Sequence, residues 1–386
     1  MAKRAKVLFC ATKDVHYKVF HLPYFKWFKE NGLDVHTVAS DQLIMPYVDQ
    51  KFIIPIQRSP FHYLNFKAYK QLKEIINKNE YDIIHCHTPM GGVITRLAAR
   101  KARKSGTKVI YTAHGFHFCK GAPLVNWMIY YPIEKLLSRL TDCLITINSE
   151  DYELAIRKKF KTGLIKRVHG VGVNTDHFKP INEQQKMKLR KQYDFQENDF
   201  IMIYVAEFNK NKNQQLLLHA LALIKDEMPN CKLLLVGDGP LLNTCQEKAR
   251  ELNISDIVYF LGYRTDIKEL LQLSDLAVAS SLREGLPVNI LEAMACGLPV
   301  IANDNRGHRE LVFNEYNGMS IPKNGDLLLA QYIHEMMLDL KNRSKFGENS
   351  LTIIKDKYSV KKTMKEMSEI YKLYMDEEVE KRWGTY

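Results

Sequence analysis

The sequence predicts an α/β protein that consists of two parallel-sheet domains. Short apolar runs typical of buried strands alternate with helical patterns; the run 276–279, the helix 288–297 and the run 300–302 form one such repeat. The length of 386 residues suits two domains of ordinary size, each with its own core. A turn-rich stretch at 170–180 provides a boundary, so we predict domains of residues 1–178 and 179–362.

The individual elements follow from apolar runs and from signals at helix ends. Gly32 ends a helix that begins at Leu22, and a capping pattern at 149–151 begins another. Gly297 ends the helix at 288, and Asp266 is expected to cap the helix that follows it. The predicted strands are 6–11, 33–39, 82–86, 108–112, 144–148, 200–206, 232–236, 258–261, 276–279 and 300–302, and the other principal helices are 63–78, 91–104, 214–224 and 363–379.

Composition indicates a globular protein of a reducing compartment. The chain is 46% apolar and 26% charged, and its apolar runs are shorter than the ~18 residues of a membrane-spanning helix. Seven scattered cysteines without a C-x-x-C pair favour reduced thiols in the cytoplasm. His85 and His87 share one face of a strand, but two imidazoles do not make a metal site, and no D-x-D occurs. We therefore predict no metal and no cofactor.

The positive charge is concentrated in the first half of the chain. Residues 1–180 contain 29 Lys and Arg against 14 Asp and Glu, a net charge of +15, whereas residues 181–386 carry −3. A basic surface suits nucleic acid, anionic lipid or diphosphate groups. Because no nucleic-acid-binding motif accompanies the charge, we do not predict nucleic acid as a partner.

The stretch 280–299 is the strongest candidate for a binding site. Its loop follows a predicted strand and directly precedes a helix, where free N–H groups and the helix dipole suit a phosphate. Glu284 in the loop can orient a polyhydroxyl ligand, and Glu292 in the helix can accept both hydroxyls of a ribose. The spacing alone also fits a solvated helix face. However, the helix around Glu292 is otherwise apolar, where an acid without a partner is costly.

This stretch resembles the E-x7-E signature of retaining glycosyltransferases of the GT-B fold, family 4. Further similarities lie at 113–115, 237–240 and 307–311, and the pattern is similar to the branch that builds bacterial capsular and exopolysaccharide repeat units. The resemblance implies two Rossmann-like, doubly wound parallel-sheet domains facing across a cleft, with the C-terminal helix 363–386 returning to the first domain. It implies retaining transfer of a hexose or N-acetylhexosamine from a nucleoside-diphosphate sugar, by family preference a UDP-sugar, to a lipid-linked saccharide of the undecaprenyl-diphosphate type.

The resemblance also implies roles for individual residues. Glu284 orients the sugar, Lys212 binds the donor diphosphate, and His114 contacts the sugar or diphosphate from the first domain. Glu207 stands where the family usually has Arg, so Lys210 or Arg283 would supply the missing positive charge. The full set of predicted donor-binding residues is Glu292, Arg283, Gly285, Leu286, Pro287, Val288, Gly262, Tyr263, Arg264, Lys210 and Gly239.

A second set of residues is assigned to the acceptor and to an anionic membrane surface. Its members are His16 and His21 in a loop after the first strand, the cations Arg96, Arg100, Lys101, Arg103 and Lys104 at a helix end, and Trp127 in the aromatic segment 116–139. Cations at a helix C-terminus are also favourable by themselves, and the aromatic segment also fits a buried domain helix. The hypothesis implies a cytoplasmic protein bound peripherally to the inner face of the bacterial membrane.

Two other functions are compatible with the sequence. A UDP-sugar 2-epimerase of the same fold would bind a similar donor but release no UDP in net turnover. A non-catalytic, nucleotide-binding partner of a membrane assembly is favoured by Glu207.

Overall fold

The chain divides into two compact units, each built on a parallel sheet. The computed structural model describes the backbone of residues 4–383 and the side chains of residues 4–375. The first unit comprises the described residues up to Val171 and from Thr363 onward, and the second comprises Gly172–Lys362. The division therefore lies seven residues before the predicted boundary at 178. Residues 1–3 and 384–386 of the predicted first domain lie outside the described residues.

The first unit contains a seven-stranded sheet in the order β3-β2-β1-β4-β5-β6-β7. The strands are β1 (Lys6–Cys10), β2 (Asp34–Ala39), β3 (Gln50–Ile53), β4 (Ile83–His87), β5 (Lys108–Ala113), β6 (Cys143–Thr146) and β7 (Leu164–Arg167). All neighbouring strands are parallel, and β1 pairs with both β2 and β4. The strand order reverses between β1 and β4, which is where parallel sheets bind ligands beyond the carboxyl ends of their strands.

Helices cover this sheet and bury its apolar residues. They are α1 (Val15–Phe20), α2 (Leu22–Glu30), α3 (Leu64–Asn79), α4 (Pro89–Ala98), α5 (Arg100–Lys104), α6 (Leu124–Leu137) and α7 (Ser149–Arg157), with a short 3₁₀ turn at Ser138–Leu140. The predicted single helix 91–104 is thus two helices that meet at Ala99. The cap of α7 is Asn148 rather than the predicted Ser149, because the Asn148 side chain accepts the backbone N–H of Asp151 at 2.8 Å.

The second unit contains a six-stranded parallel sheet in the order β10-β9-β8-β11-β12-β13. Its strands are β8 (Phe200–Val205), β9 (Cys231–Val236), β10 (Val258–Gly262), β11 (Leu276–Ala279), β12 (Val300–Asn303) and β13 (Gly318–Ile321). Its helices are α8 (Glu183–Gln192), α9 (Gln214–Ile224), α10 (Leu242–Glu251), α11 (Ile267–Leu273), α12 (Val288–Ala295), α13 (Arg306–Arg309), α14 (Asp326–Leu338) and α15 (Leu340–Ile353), followed by a π turn at Ile354–Tyr358. Here the strand order reverses between β8 and β11.

The last helix, α16 (Val360–Trp383), returns the chain to the first unit. Tyr371 is fully buried there, and its hydroxyl lies 2.8 Å from Nδ1 of His85. Its ring stacks on Trp27 at 5.7 Å between centroids and contacts Phe28 at 4.6 Å. The first unit therefore obtains part of its core from the far end of the sequence.

Candidate functional site

Two loops of the second unit meet where its strand order reverses. β8 and β11 are neighbours, with Leu276 beside Met202, so the loops that follow them leave the sheet at the same edge. The backbone N–H of Leu282 donates to the carbonyl of Asn211 at 2.8 Å, and the Asn211 side-chain amide donates to the carbonyl of Arg283 at 2.9 Å. These hydrogen bonds join the loop 206–213 to the loop 280–287.

Lys212 and Glu284 form an ion pair across these loops. Nζ of Lys212 lies 2.6 Å from Oε1 of Glu284, and both side chains are mostly buried. The carbonyl of Lys212 accepts hydrogen bonds from Ser280 Oγ at 2.8 Å and from the buried Tyr204 hydroxyl at 3.3 Å. The sequence assigned both charged residues to the donor, and the structure places them together. The backbone contacts hold the cation in position, which an electrostatic site for a charged ligand requires.

The N-terminus of α12 lies directly after this loop. Pro287 is its N-cap residue and makes no side-chain capping hydrogen bond. The first-turn N–H groups of a helix point outward and carry the positive end of its dipole, which suits a phosphate. Pro287 was predicted to share this role, but proline has no N–H and can only shape the turn. The backbone donors of the loop are therefore those of Gly285, Leu286 and Val288.

The loop at Glu284 is packed tightly against α13. A Cβ atom on Gly307 would lie 2.7 Å from Cβ of Glu284, closer than real side chains approach, so this position requires glycine. Nε of Arg306 donates to the carbonyl of Glu284 at 3.0 Å. The position of the Glu284 side chain is thus determined by α13 as well as by Lys212.

His308 is a site residue that the sequence reasoning missed. Its Nδ1 lies 2.6 Å from the carbonyl of Asn303, and its buried Nε2 has no hydrogen-bond partner among the described residues. Burial lowers its pKa to about 4, and the charges of Glu284 and Lys212 also act on it. The His308 imidazole is therefore neutral at its position near the Lys212–Glu284 ion pair. It lies within residues 307–311, and the similarity of this stretch to the family was the signal that could have identified it.

Glu292 is a partly buried carboxylic acid in the middle of α12. Burial raises its pKa from 4.5 to about 7, and its carboxylate makes no hydrogen bond or ion pair with the described residues. A buried acid without a partner destabilises the fold, whereas a ligand hydroxyl would relieve that cost. This environment fits the role predicted for Glu292 better than a solvated helix face.

The remaining donor-site predictions lie around a glycine turn next to the β8 loop. Gly239 has φ +153°, and a Cβ atom there would lie 2.5 Å from the carbonyl oxygen of Phe208, so the two segments are in close contact. Gly262 also has positive φ, and Tyr263 is 78% exposed. Asp266 is the N-cap residue of α11, as predicted, but its carboxylate makes no capping hydrogen bond and binds Arg264 and Tyr193 instead. Lys210 is exposed and Arg283 is half-buried.

In the first unit, His114 follows β5 and lies in a cluster of histidines. Its Nε2 is 3.3 Å from Nδ1 of His87, and burial lowers its pKa to about 4. His16 and His21 belong to the same cluster, with ring centroids 4.8 Å apart. The structure therefore brings together three residues that the sequence assigned to sugar and acceptor binding.

The prediction of a basic surface is wrong for two of its five cations. Arg96 is buried: its Nη2 lies 2.9 Å from Oε2 of Glu134, and its guanidinium is 3.9 Å from the Tyr111 ring centroid. Arg103 binds the carboxylate of Asp142 at 2.8 Å. These two cations satisfy carboxylates of the first unit; α4, which carries Arg96, packs against α6, which carries Glu134. The exposed members are Arg100, Lys101 and Lys104.

The aromatic segment divides into a packed face and an exposed face. Trp127 packs against Phe118 at 5.6 Å between ring centroids and touches the core, so it is not the exposed interfacial anchor that its composition suggested. Apolar side chains of α6 are exposed instead: Leu124, Val125, Met128 and Leu136 are between 55% and 80% exposed. Among the described residues, no helix is both long and apolar enough to cross a bilayer.

Two Rossmann-like units, one with paired charges beside a helix N-terminus where its strand order reverses, are typical of glycosyltransferases of the GT-B class. The family description "Glycosyl transferases group 1" matches residues 185–352, and "Glycosyl transferase 4-like" matches residues 6–148. The putative glycosyltransferase EpsD of Bacillus subtilis is 51% identical over 372 residues, which cover 96% of this chain and 97% of that protein. The chain therefore belongs to the family-4-like glycosyltransferases of the GT-B fold, as the sequence predicted.

Two further comparisons are informative. The Escherichia coli protein named UDP-Gal:alpha-D-GlcNAc-diphosphoundecaprenol alpha-1,3-galactosyltransferase is 31% identical over 263 residues, 67% of each chain. The crystal structure of Anabaena Alr3699/HepE in complex with UDP and glucose superposes with a TM-score of 0.80 at 21% identity, covering 96% of this chain and all of that one. The structural match supports the fold. The substrates and ligands in the two names are those of the similar proteins.

Proposed function

We propose that this protein transfers a hexose or N-acetylhexosamine from a UDP-sugar to a lipid-linked saccharide, with retention of the anomeric configuration, in exopolysaccharide synthesis. The observation that carries the proposal is the Lys212–Glu284 pair beside the N-terminus of α12. A cation and oriented N–H groups stabilise the charge that develops on a departing diphosphate. The similar proteins of known name support UDP as the nucleotide and a diphosphoundecaprenol-linked acceptor.

For each part of the donor, the protein has a group of suitable chemistry. Lys212 and the N–H groups of Gly285, Leu286 and Val288 bind the diphosphate without a metal ion. Glu284 orients the sugar hydroxyls, and Glu292 accepts the ribose hydroxyls. In the first unit, burial lowers the pKa of His114 to about 4, so its imidazole is neutral. In this family's usual mechanism the departing phosphate accepts the proton of the acceptor hydroxyl, so no enzymatic nucleophile is assigned.

The first unit has features suited to a lipid-linked acceptor. A cavity of about 540 Å³ is lined by apolar side chains, including Val19 and Met90, and by the cations Lys13 and Arg58. The apolar side chains suit an isoprenoid chain, and the two cations suit a diphosphate. The exposed apolar residues of α6 suit contact with acyl chains, and the net charge of +15 in residues 1–180 suits an anionic bilayer. We therefore place the enzyme peripherally at the inner face of the bacterial membrane.

Nucleotide binding tests the donor assignment. Thermal unfolding is measured with UDP, GDP or ADP, for the wild type and for Glu292→Gln. A nucleotide at ~100 times its Kd stabilises the protein by roughly 2.7 kcal/mol. We expect UDP alone to stabilise the wild type strongly and to have little effect on the variant. Equal responses to all three nucleotides would remove the support for a UDP-sugar.

Acceptor-dependent UDP release tests the transfer itself. The protein is incubated with a panel of UDP-sugars and undecaprenyl-diphosphate-linked saccharides, and the anomeric configuration of the product is read by NMR. We expect one donor–acceptor pair to release UDP and yield an axial linkage from an axial donor. Epimerised sugar nucleotide without UDP release would support the 2-epimerase alternative. Flotation with liposomes, compared between wild type and Met128→Glu, tests the membrane contact.

A further inference from the structure

Three histidines converge in the first unit, next to the point where its strand order reverses. His16 lies on α1, His21 joins α1 to α2, and His87 ends β4. One ring nitrogen of each lies within 4.8 Å of those of the other two. Because the three positions are up to 71 residues apart in sequence, their convergence results from the pairing of β1 with β4.

Two nitrogens of this cluster lack any hydrogen-bond partner among the described residues. Nε2 of His16 and Nε2 of His87 are both buried and unsatisfied. The His87 side chain is almost completely buried, with 1% exposure. An unsatisfied buried polar group costs about 1–3 kcal/mol, so two of them in one cluster require a physical reason.

The other ring nitrogens are arranged as they are in metal-bound histidines. Nδ1 of His21 lies 3.3 Å from the backbone carbonyl of His16, and a carbonyl can only accept, so Nδ1 carries the proton and Nε2 has a bare lone pair. Nδ1 of His87 lies 3.3 Å from Nε2 of His114, which can accept its proton in the same way. Such contacts orient a ligating imidazole and fix its tautomer.

We propose that His16, His21 and His87 form a binding site for one transition-metal ion, with Zn²⁺ as the best match. Imidazole nitrogens bind Zn²⁺ at about 2.0–2.1 Å, which places them roughly 3.4 Å apart in a tetrahedral site, and three histidines with an open fourth position are a sufficient ligand set. The nitrogens, which lie within 4.8 Å of one another, would therefore have to move closer together when the ion binds. Oxygen-preferring Mg²⁺ does not suit three imidazoles.

The neighbouring residues define the limits of the site. His85 is excluded as a ligand, because its two nitrogens contact the hydroxyls of Tyr371 and Thr112 at 2.8 Å each. His16 also lines the cavity that contains Lys13 and Arg58, so an ion in the site adjoins that cavity. The site lies within the first unit and is independent of the donor contacts proposed for Lys212 and Glu284. A metal ion at this site would differ from the prediction, made from the sequence, that the protein binds no metal.

Direct metal binding to the full-length protein tests the proposal. The protein is stripped with a chelator and titrated with Co²⁺, whose visible absorption reports four-coordinate geometry, and the bound metal is counted per chain. We expect one Co²⁺ per chain, displacement by Zn²⁺ and no effect of Mg²⁺. X-ray absorption of the Zn²⁺ form should show three imidazole nitrogens at about 2.0 Å. Failure of the wild type to bind one ion per chain overturns the proposal.

Variants identify the ligands. His87→Gln and His21→Gln should each lose more affinity than the roughly 10–100-fold that removal of an outer hydrogen-bond partner costs, and His114→Phe should fall within that range. His219→Gln, at an exposed position in the second unit, is the matched control and should bind like the wild type. Melting and far-UV circular dichroism of each metal-free variant verify that it is folded. Undiminished metal binding by folded His87→Gln and His21→Gln would also overturn the proposal.

Discussion

Replacement of Glu292 by Gln should stabilise the unliganded protein in a pH-dependent manner. Burial raises the pKa of this carboxyl from 4.5 to about 7. Each pKa unit corresponds to about 1.36 kcal/mol, so the charged form costs the folded state about 3 kcal/mol. Because the folded pKa is the higher one, this cost is absent below pH ~4.5, grows as pH rises and is complete above pH ~7. Glutamine keeps the shape of the side chain and removes the charge.

Thermal and urea unfolding at pH 5 and pH 8 measure this effect. At pH 8 the variant should gain about 3 kcal/mol, which is roughly 6–12 °C in Tm for a unit of this size, and at pH 5 it should gain much less. Glu247→Gln, on the exposed face of α10, is the control and should change little at either pH. An equal gain at both pH values would refute the buried-charge explanation.

The same variant separates stability from function. If Glu292 binds the ribose hydroxyls, the more stable variant must bind UDP more weakly, because the amide replaces one of two acceptor oxygens by a donor. Isothermal titration with UDP at pH 8 measures the change. A stabilised variant with unchanged UDP affinity would show that Glu292 does not contact the nucleotide.

Three other substitutions have expected outcomes. Lys212→Met should lower kcat by roughly 10²–10³-fold, the usual cost of losing one preorganised charge-stabilising group, measured as UDP release; a change in KM alone would contradict the assigned role. Gly307→Ala should reduce UDP binding, because its Cβ displaces the backbone of Glu284 and with it the neighbouring N–H groups of the loop, and unaltered titrations would show that the loop moves freely. Arg96→Met should lower the free energy of unfolding in urea by about 3–5 kcal/mol, because Glu134 remains buried without its cation; a loss below 1 kcal/mol would contradict this reading.

The central strands and the donor loop could be predicted from the sequence because their signals are local. The strand Leu276–Ala279 and the helix Gln214–Ile224 have the predicted bounds, since both are strongly apolar. The edge strands Gln50–Ile53 and Leu164–Arg167 were missed: they are short, partly exposed and rich in polar residues. These two strands are identified by their neighbours in the sheet, and that pairing has no local pattern.

The side chains were harder to predict than the elements that carry them. Arg96 belongs to a row of cations in the sequence, but α4 packs against α6, where Arg96 binds Glu134, 38 positions away. His87 was considered only with its sequence neighbour His85, whereas its ring faces His16 and His21. In both cases the decisive partner comes from another element, so a single segment could not reveal it.

The burial of Tyr371 has a consequence for the way this chain emerges from the ribosome. Translation proceeds from the N-terminus, so the residues of Gly172–Lys362 are all synthesised before Tyr371 appears. The second unit is thus an insertion that can fold during synthesis, while the first waits with an incomplete core around Trp27 and Phe28. The first unit is thus synthesised first and completed last. Until Tyr371 is in place, its exposed apolar surface is the part of the nascent protein that chaperones would bind.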